Sequence, residues 1–173
     1  MIVHPIEPVY DKTSRVLILG SFPSVKSREK GFFYGHPQNR FWKVLAALFA
    51  PAGSPGSSEG EPVSVPGTIE EKKAFLLKNH VAVWDVIHSC DITGSSDASI
   101  RNVTINDLSR ILTEAPIRQI FVNGQTAGKL YRTYTQPLIG REAVVLPSTS
   151  PANARWRLEM LVDAWSAVAE AAR

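Results

Sequence analysis

Four short segments hold the residues best suited to bind or transform a small molecule. They are Gly20-Ser21-Phe22-Pro23-Ser24, Ile87-His88-Ser89, Asn123-Gly124-Gln125 and Pro147-Ser148-Thr149-Ser150-Pro151. Phe22 offers a flat face on which a ring can stack, although an aromatic there would equally fill a core. The Asn123 amide presents a donor and an acceptor side by side. Three of the four segments are small and polar, with an aromatic or an amide among them.

Several chemistries are excluded. Gly20–Ser24 carries neither a dinucleotide fingerprint nor a phosphate loop ending in Lys and Ser/Thr, and Pro23 removes a backbone donor there. No Ser sits in the G-x-S-x-G turn of a hydrolase nucleophile. His4, His36, His80 and His88 show no i, i+4 pairing, and Cys90 is the only cysteine. Disulfide scaffolds, iron–sulfur clusters and thiolate zinc sites therefore drop out, and no metal or cofactor is expected.

These segments need a scaffold that brings them together. Four apolar runs read as strands: Val16–Leu19, Val81–Ile87, Ile117–Val122 and Ala143–Leu146. Continuous Val/Ile/Leu runs suit strands covered on both faces, as in a parallel sheet. Helical patterns follow them. Thr68 with Glu71 forms a capping-box pattern opening a helix to Lys78. Asn106 or Thr104 is expected to cap a segment ending near Glu114, and Asn153 a last helix carrying Leu158, Leu161, Val162, Trp165 and Val168. Asn39 is also placed to cap a helix beginning at Arg40. Trp42, Trp84 and Trp165 read as core, and Asp85 and His88 as hydrogen-bonded strand residues. The expected fold is a three-layer α/β/α sandwich with a central four-stranded parallel sheet. Ligands of such sheets bind beyond the carboxyl ends of the strands, where the four segments lie.

A chain of 173 residues, 44% hydrophobic and 20% charged, fits one domain spanning 1–173. At that length about two-thirds of the chain surface can be buried. Residues 51–67, rich in Pro, Gly and Ser, read as a mobile surface loop. No apolar run reaches membrane-spanning length, so a cytoplasmic protein is expected. The net charge of +3 is unevenly spread. Lys26, Arg28, Lys30, Arg40 and Lys43 face only Glu29 between Gly20 and Lys43, a surplus suited to a phosphate-bearing partner or merely to a solvated loop.

Gly20–Ser27 followed by Gly31–Trp42, which contains His36-Pro37-Gln38-Asn39-Arg40-Phe41-Trp42, resembles the first motif block of the uracil-DNA glycosylase superfamily. The hypoxanthine-DNA glycosylase branch (family 6) is the nearest match, with mismatch-specific uracil/thymine glycosylases as cousins. Gly94–Ile100, Phe121–Gly124 and Leu146–Ala154 resemble further blocks in the same order, so the resemblance covers Val16 to Trp165. It implies a monofunctional glycosylase removing hypoxanthine (deaminated adenine) from DNA and leaving an abasic site. Uracil-specific members carry an Asp or Asn in the loop after the first strand. Ser21, Phe22 and Pro23 stand there instead, which argues against efficient uracil excision.

The resemblance also implies roles. Asn39 takes the catalytic part by positioning water. Phe22, Asn123, Tyr34, Gly20 and Ser21 bind the base, with Phe22 stacking for about 1–3 kcal/mol and Asn123 matching O6 and N1–H of hypoxanthine. Ser24, Lys26, Ser27, Ser148, Thr149, Ser150, Pro151, Ala152 and Asn153 contact DNA, the loop at 148–153 acting as a wedge beside a flipped nucleotide. The partner is damaged DNA and the protein a monomer. Alternatives are a mismatch-directed uracil/thymine glycosylase of the same fold, a non-catalytic nucleic-acid-binding module and a nucleoside hydrolase.

Overall fold

The computed structural model describes residues 1–50 and 64–173, so the expected loop at 51–67 falls largely outside the described residues. The first half runs β1 (Ile2–Val3), β2 (Val16–Gly20), α1 (Val25–Lys30), α2 (Phe41–Leu48), α3 (Ile69–Lys78), β3 (Val81–Asp85), β4 (Ile87–Asp91) and β5 (Arg101–Ile105). The second runs α4 (Ser109–Glu114), β6 (Gln119–Asn123), α5 (Gln125–Leu130), α6 (Gln136–Ile139), β7 (Ala143–Leu146), α7 (Leu158–Ala164) and α8 (Ser166–Ala172). A π-helical turn at Tyr131–Thr135 joins α5 to α6. No helix among the described residues is long and apolar enough to cross a membrane.

The central sheet is four-stranded and parallel in the order β3-β2-β6-β7. Every residue of β2 is buried, as its unbroken Val-Leu-Ile-Leu run requires. Alternation divides the strand between two layers. Val16 and Ile18 pack with Phe41, Trp42, Leu45, Leu76, Leu161 and Trp165 of α2, α3 and α7 and the α7–α8 junction. Leu17 and Leu19 pack with Leu108, Ile111, Ala127 and Tyr131 on the opposite face. The α/β/α sandwich is the expected fold class.

The strand expected at Val81–Ile87 is two. Its parallel pairing with β2 ends at Asp85, and Ile87 starts β4 in a second sheet, β1-β4-β5, whose strands are antiparallel. Asn106 fixes this break. Its buried side-chain amide donates to the carbonyls of Asp85 at 2.9 Å and Ile87 at 3.1 Å. Asn106 therefore caps no helix, and Thr104 lies in β5. Instead, the Asp107 carboxylate accepts from Ser109 N–H at the start of α4. Thr68 does cap α3, accepting from Glu71 N–H at 3.1 Å. The last helical segment is broken at Trp165, whose indole N–H reaches back to the Pro147 carbonyl at 2.9 Å. It opens at Leu158, not after Asn153, and Arg157 in the cap position supplies no side-chain bond. Trp42 and Trp165 are buried, while Trp84 is half-buried.

Candidate active site

The carboxyl ends of β2, β3 and β6 build the floor of a cavity of about 150 Å³. Gly20 is in register with Asp85, and alternation points Gly20, Asp85 and Asn123 to the face that carries Ile18, Val83 and Phe121. Strands lie about 4.8 Å apart, so Asp85 and Asn123 flank Gly20 from either side. Glycine is obligatory between them. A Cβ at Gly20 would stand 2.5 Å from Asp85 Oδ1 and 3.0 Å from the Tyr34 hydroxyl. Phe33, Tyr34 and Asn39, from the segment joining α1 to α2, close over this floor. Ser148–Ser150 form one wall; Phe22, Pro23, Ile92, Ser95 and Asp97 contribute the other lining.

A chain of hydrogen bonds connects the two amides named from sequence. Asn123 Nδ2 donates to Thr149 Oγ1 at 3.0 Å, and Thr149 N–H donates to Asn123 Oδ1 at 3.1 Å. The Thr149 hydroxyl donates onward to Asn39 Oδ1 at 2.8 Å. Asn39 Oδ1 also accepts from Phe41 N–H at 3.0 Å, at the start of α2. Because a backbone N–H can only donate, this contact fixes the amide orientation and leaves Asn39 Nδ2 as its free end. The helix expected from Arg40 thus opens at Phe41 with Arg40 in the cap position, and Asn39 holds its first N–H while lining the cavity through other atoms of the same side chain. Gly124, at φ 98°, makes the turn after β6, and a Cβ there would meet Ser148 at 3.1 Å.

Phe22 is buried, packing with Ile87 and Cys90 while lining the cavity. The His4 ring meets it edge-on at 5.8 Å between centroids, and the Arg28 guanidinium lies 5.7 Å from its centre. Tyr34 adopts φ 52°, an uncommon conformation for a bulky residue, and its ring stacks on Phe41 at 3.9 Å. Burial raises its pKa well above the usual tyrosine value, and the Asp85 charge adds to this. The phenol is therefore a neutral donor. Its hydroxyl is buried and makes no hydrogen bond.

Asp85 was expected to be a satisfied strand residue, and only half of it is. His4 Nε2 bonds Asp85 Oδ2 at 2.7 Å, with both side chains buried. Its other oxygen faces Gly20. Nothing in the sequence joins His4 to a residue 81 positions away. Asp85 itself follows from the strand-end rule once β3 is ended correctly. Asp97, at the mouth, has its pKa raised by desolvation against the hydroxyls of Ser21 and Thr126, Ser21 Oγ donating at 3.4 Å. His88 is exposed and bonds Asn106, away from the cavity.

The loop at 148–153 is braced from inside. The Arg40 guanidinium donates to the carbonyls of Ser150 at 2.9 Å, Asn153 at 3.1 Å and Trp156, while Arg40 N–H donates to Thr149 O at 3.1 Å. Asn153 Nδ2 ties the loop base through Ser148 O at 3.0 Å. Ala152 is exposed at the tip, with Pro151 and Asn153 half-buried beside it. Two expected DNA contacts lie inside instead. Thr149 is fully buried as the link between the amides, and Ser27 is buried with its hydroxyl accepting from Gly35 N–H. Ser24 caps α1, accepting from Ser27 N–H at 3.1 Å. Lys26 is exposed and pairs with Glu29, whereas Arg28 and Lys30 donate to the carbonyls of Gly94 and Gly35.

Comparison with known proteins agrees with this architecture. A family model for the uracil DNA glycosylase superfamily matches residues 7–169. A curated protein of Methanosarcina acetivorans named hypoxanthine DNA glycosylase is 36% identical over 161 residues, covering 90% of this chain and 91% of the relative. Another of that name, from Methanosarcina barkeri, is 30% identical over 149 residues, 86% of each chain. The solution NMR structure of a Methanosarcina acetivorans protein, described as a candidate uracil DNA glycosylase, superposes with a TM-score of 0.77 at 33% identity. That match covers 99% of both chains. With the family model spanning residues 7–169, which hold the whole central sheet and all four strand-end segments, the chain belongs to the uracil-DNA glycosylase superfamily.

Proposed function

We propose that this protein is a monofunctional DNA glycosylase that hydrolyses the N-glycosidic bond of hypoxanthine in DNA, leaving an abasic site for base excision repair. The observation that carries the reading is the Asn39–Thr149–Asn123 chain lining a cavity at the strand ends. Two relatives matching most of the chain bear the name hypoxanthine DNA glycosylase, which supports the choice of base.

In this reading the damaged nucleotide swings out of the duplex and its base enters the cavity against Phe22. The C1′–N9 bond breaks, its electron pair leaves with the base, and the base takes up a proton. Water adds its oxygen to C1′ and releases a proton, so the products are hypoxanthine and an abasic sugar. Asn39 Nδ2 holds the water by donating to its oxygen, leaving a lone pair to attack. Positioning of this kind supplies much of the acceleration when the sugar already carries cationic character. The exposed tip at Pro151-Ala152-Asn153 fills the gap in the stack, and Arg40 keeps it rigid.

The test is a panel of matched duplexes bearing hypoxanthine, uracil, xanthine or a G·T mismatch, incubated with the protein and treated with hot alkali. Strand breaks confined to or strongest for hypoxanthine support the reading. Breaks strongest for uracil or G·T transfer it to the mismatch-directed cousins.

A further inference from the structure

A second cavity, of about 470 Å³, lies beside the first, and Asp97, Asn123, Ser148 and Ser150 line both. That volume is within the range of sites that enclose a small molecule. Its own wall includes Gln125, Thr126 and Trp156. The tryptophan is set apart from the other three in the chain. The indole N–H groups of Trp42, Trp84 and Trp165 donate to the carbonyls of Phe33, Ile6 and Pro147 at 3.3, 3.2 and 2.9 Å. Each of those rings also meets a second aromatic ring. Trp156 makes neither contact among the described residues, although it is half-buried and packs against the main core. A tryptophan N–H taken out of water ordinarily finds an acceptor. The backbone that carries this ring is nevertheless pinned twice. Trp156 N–H donates to the Asn153 carbonyl at 3.2 Å, and the Trp156 carbonyl accepts from the Arg40 guanidinium. A rigidly held ring with a spare donor thus borders an open cavity.

The lining selects the ligand. Among the described residues Asp97 is the only charged group on this wall, so a phosphate meets no cation there and a neutral flat ring suits it better. Every nucleobase has a π-face to lay on Trp156 and a ring or carbonyl acceptor for its N–H. The exposed Gln125 amide offers both a donor and an acceptor to the base edge. We propose that the second cavity takes the base of the nucleotide next to the flipped one, stacked on Trp156, when the damaged strand is unpaired. The proposal rests on the DNA glycosylase reading above, which brings the damaged nucleotide into the first cavity. Because the two cavities share four wall residues, a strand that fills one passes directly over the other. In a duplex the neighbouring base stays stacked in the helix, so the subsite acts on single strands and unpaired flanks. It accepts any base, since stacking does not depend on sequence.

The test uses short single strands holding one deoxyinosine on a hydrolysis-resistant 2′-fluoroarabino sugar. One strand is otherwise intact, and two others lack the base on the 5′ or the 3′ neighbour. Dissociation constants are measured for the wild type, Trp156→Ala and Trp156→Phe. The wild type is expected to bind at least one base-less strand about 10-fold more weakly than the intact strand, as the loss of one stacked base implies. Trp156→Ala binds the intact strand as weakly as that one and shows no further loss. Trp156→Phe keeps a ring face without the N–H, falls between the two, and keeps the test valid if Trp156→Ala does not fold. In the wild type the intact strand quenches tryptophan emission more than the base-less strand does, and this excess vanishes in Trp156→Phe. Equal affinity of the wild type for all three strands overturns the subsite. So does an undiminished base-less loss in Trp156→Ala, or excess quenching that persists in Trp156→Phe. Release of hypoxanthine from an ordinary deoxyinosine strand is followed in parallel. Release without any effect of the neighbour sinks the subsite alone. An effect of the neighbour without release sinks the glycosylase reading and leaves the subsite standing.

Discussion

The Thr149 hydroxyl donates to Asn39 Oδ1 at 2.8 Å while receiving Asn123 Nδ2 at 3.0 Å, so one buried hydroxyl links the two cavity amides, whose orientations the N–H groups of Phe41 and Thr149 fix. Thr149→Val keeps the shape and removes both bonds. Asn39 Oδ1 keeps the Phe41 N–H, but leaving Asn123 Nδ2 unpaired is expected to cost about 1–3 kcal/mol of stability. The excision rate should fall about 10- to 100-fold, since displacements near 1 Å weaken catalysis by that order. Thr149→Ser restores most of both. Chemical denaturation and single-turnover excision measure the two effects; a fast Thr149→Val enzyme would show that the chain is structural only.

Asn39 offers a sharper separation. Asn39→Asp retains an oxygen for Phe41 N–H and the Thr149 hydroxyl but loses the free Nδ2 donor. Its excision rate is expected to fall as far as that of Asn39→Ala, with DNA affinity little changed in both. Only Asn39→Ala also loses the bond to Phe41 N–H, at about 1 kcal/mol. If Asn39→Asp excised at the wild-type rate, the Nδ2 group would have no part in holding water.

Arg40 holds three loop carbonyls through a planar fork that a lysine ammonium cannot reproduce. Arg40→Lys is expected to loosen residues 150–156 and slow excision from duplex DNA several-fold more than from single strands, where no stack must be replaced. Parallel time courses on the two substrates decide it. Equal losses would mean that the loop is not a wedge.

Asp97 gives a prediction in pH. Desolvation raises its pKa in the folded protein, so its ionised form destabilises the fold. That destabilisation is absent below the unfolded aspartate pKa near 4. It grows as pH rises from there through the folded pKa and is complete above it. Asp97→Asn should therefore melt higher than the wild type at pH 7, and the difference should vanish at pH values below about 4. Thermal melts across that range test the sign; a variant that melts lower at neutral pH would contradict it.

The sandwich was legible because its strands are apolar runs with few other uses, and the Thr68 cap because Thr68 and Glu71 are local in sequence. Misplaced features depended on distant partners. Val81–Ile87 reads as one strand, yet Asn106, about 20 positions on, divides it. Asn153 has the right type for a helix cap, but Ser148 O claims its amide. Of the site residues, Phe22, Tyr34, Asn39 and Asn123 were found through strand ends and motif resemblance. Thr149 and Ser27 were placed on the DNA-facing surface by the resemblance, and only packing shows them buried. His4 carried no signal, since a histidine near a chain end points nowhere until its carboxylate partner is seen.

Incubation of the purified protein with a duplex holding one deoxyinosine, in the presence of a chelator, tests the central claim most directly when the free base is collected and identified by mass. The account predicts hypoxanthine and an abasic site in equal amounts, with none released by Asn39→Ala in the same time. Tight binding of that duplex by the wild type with no hypoxanthine released would contradict it.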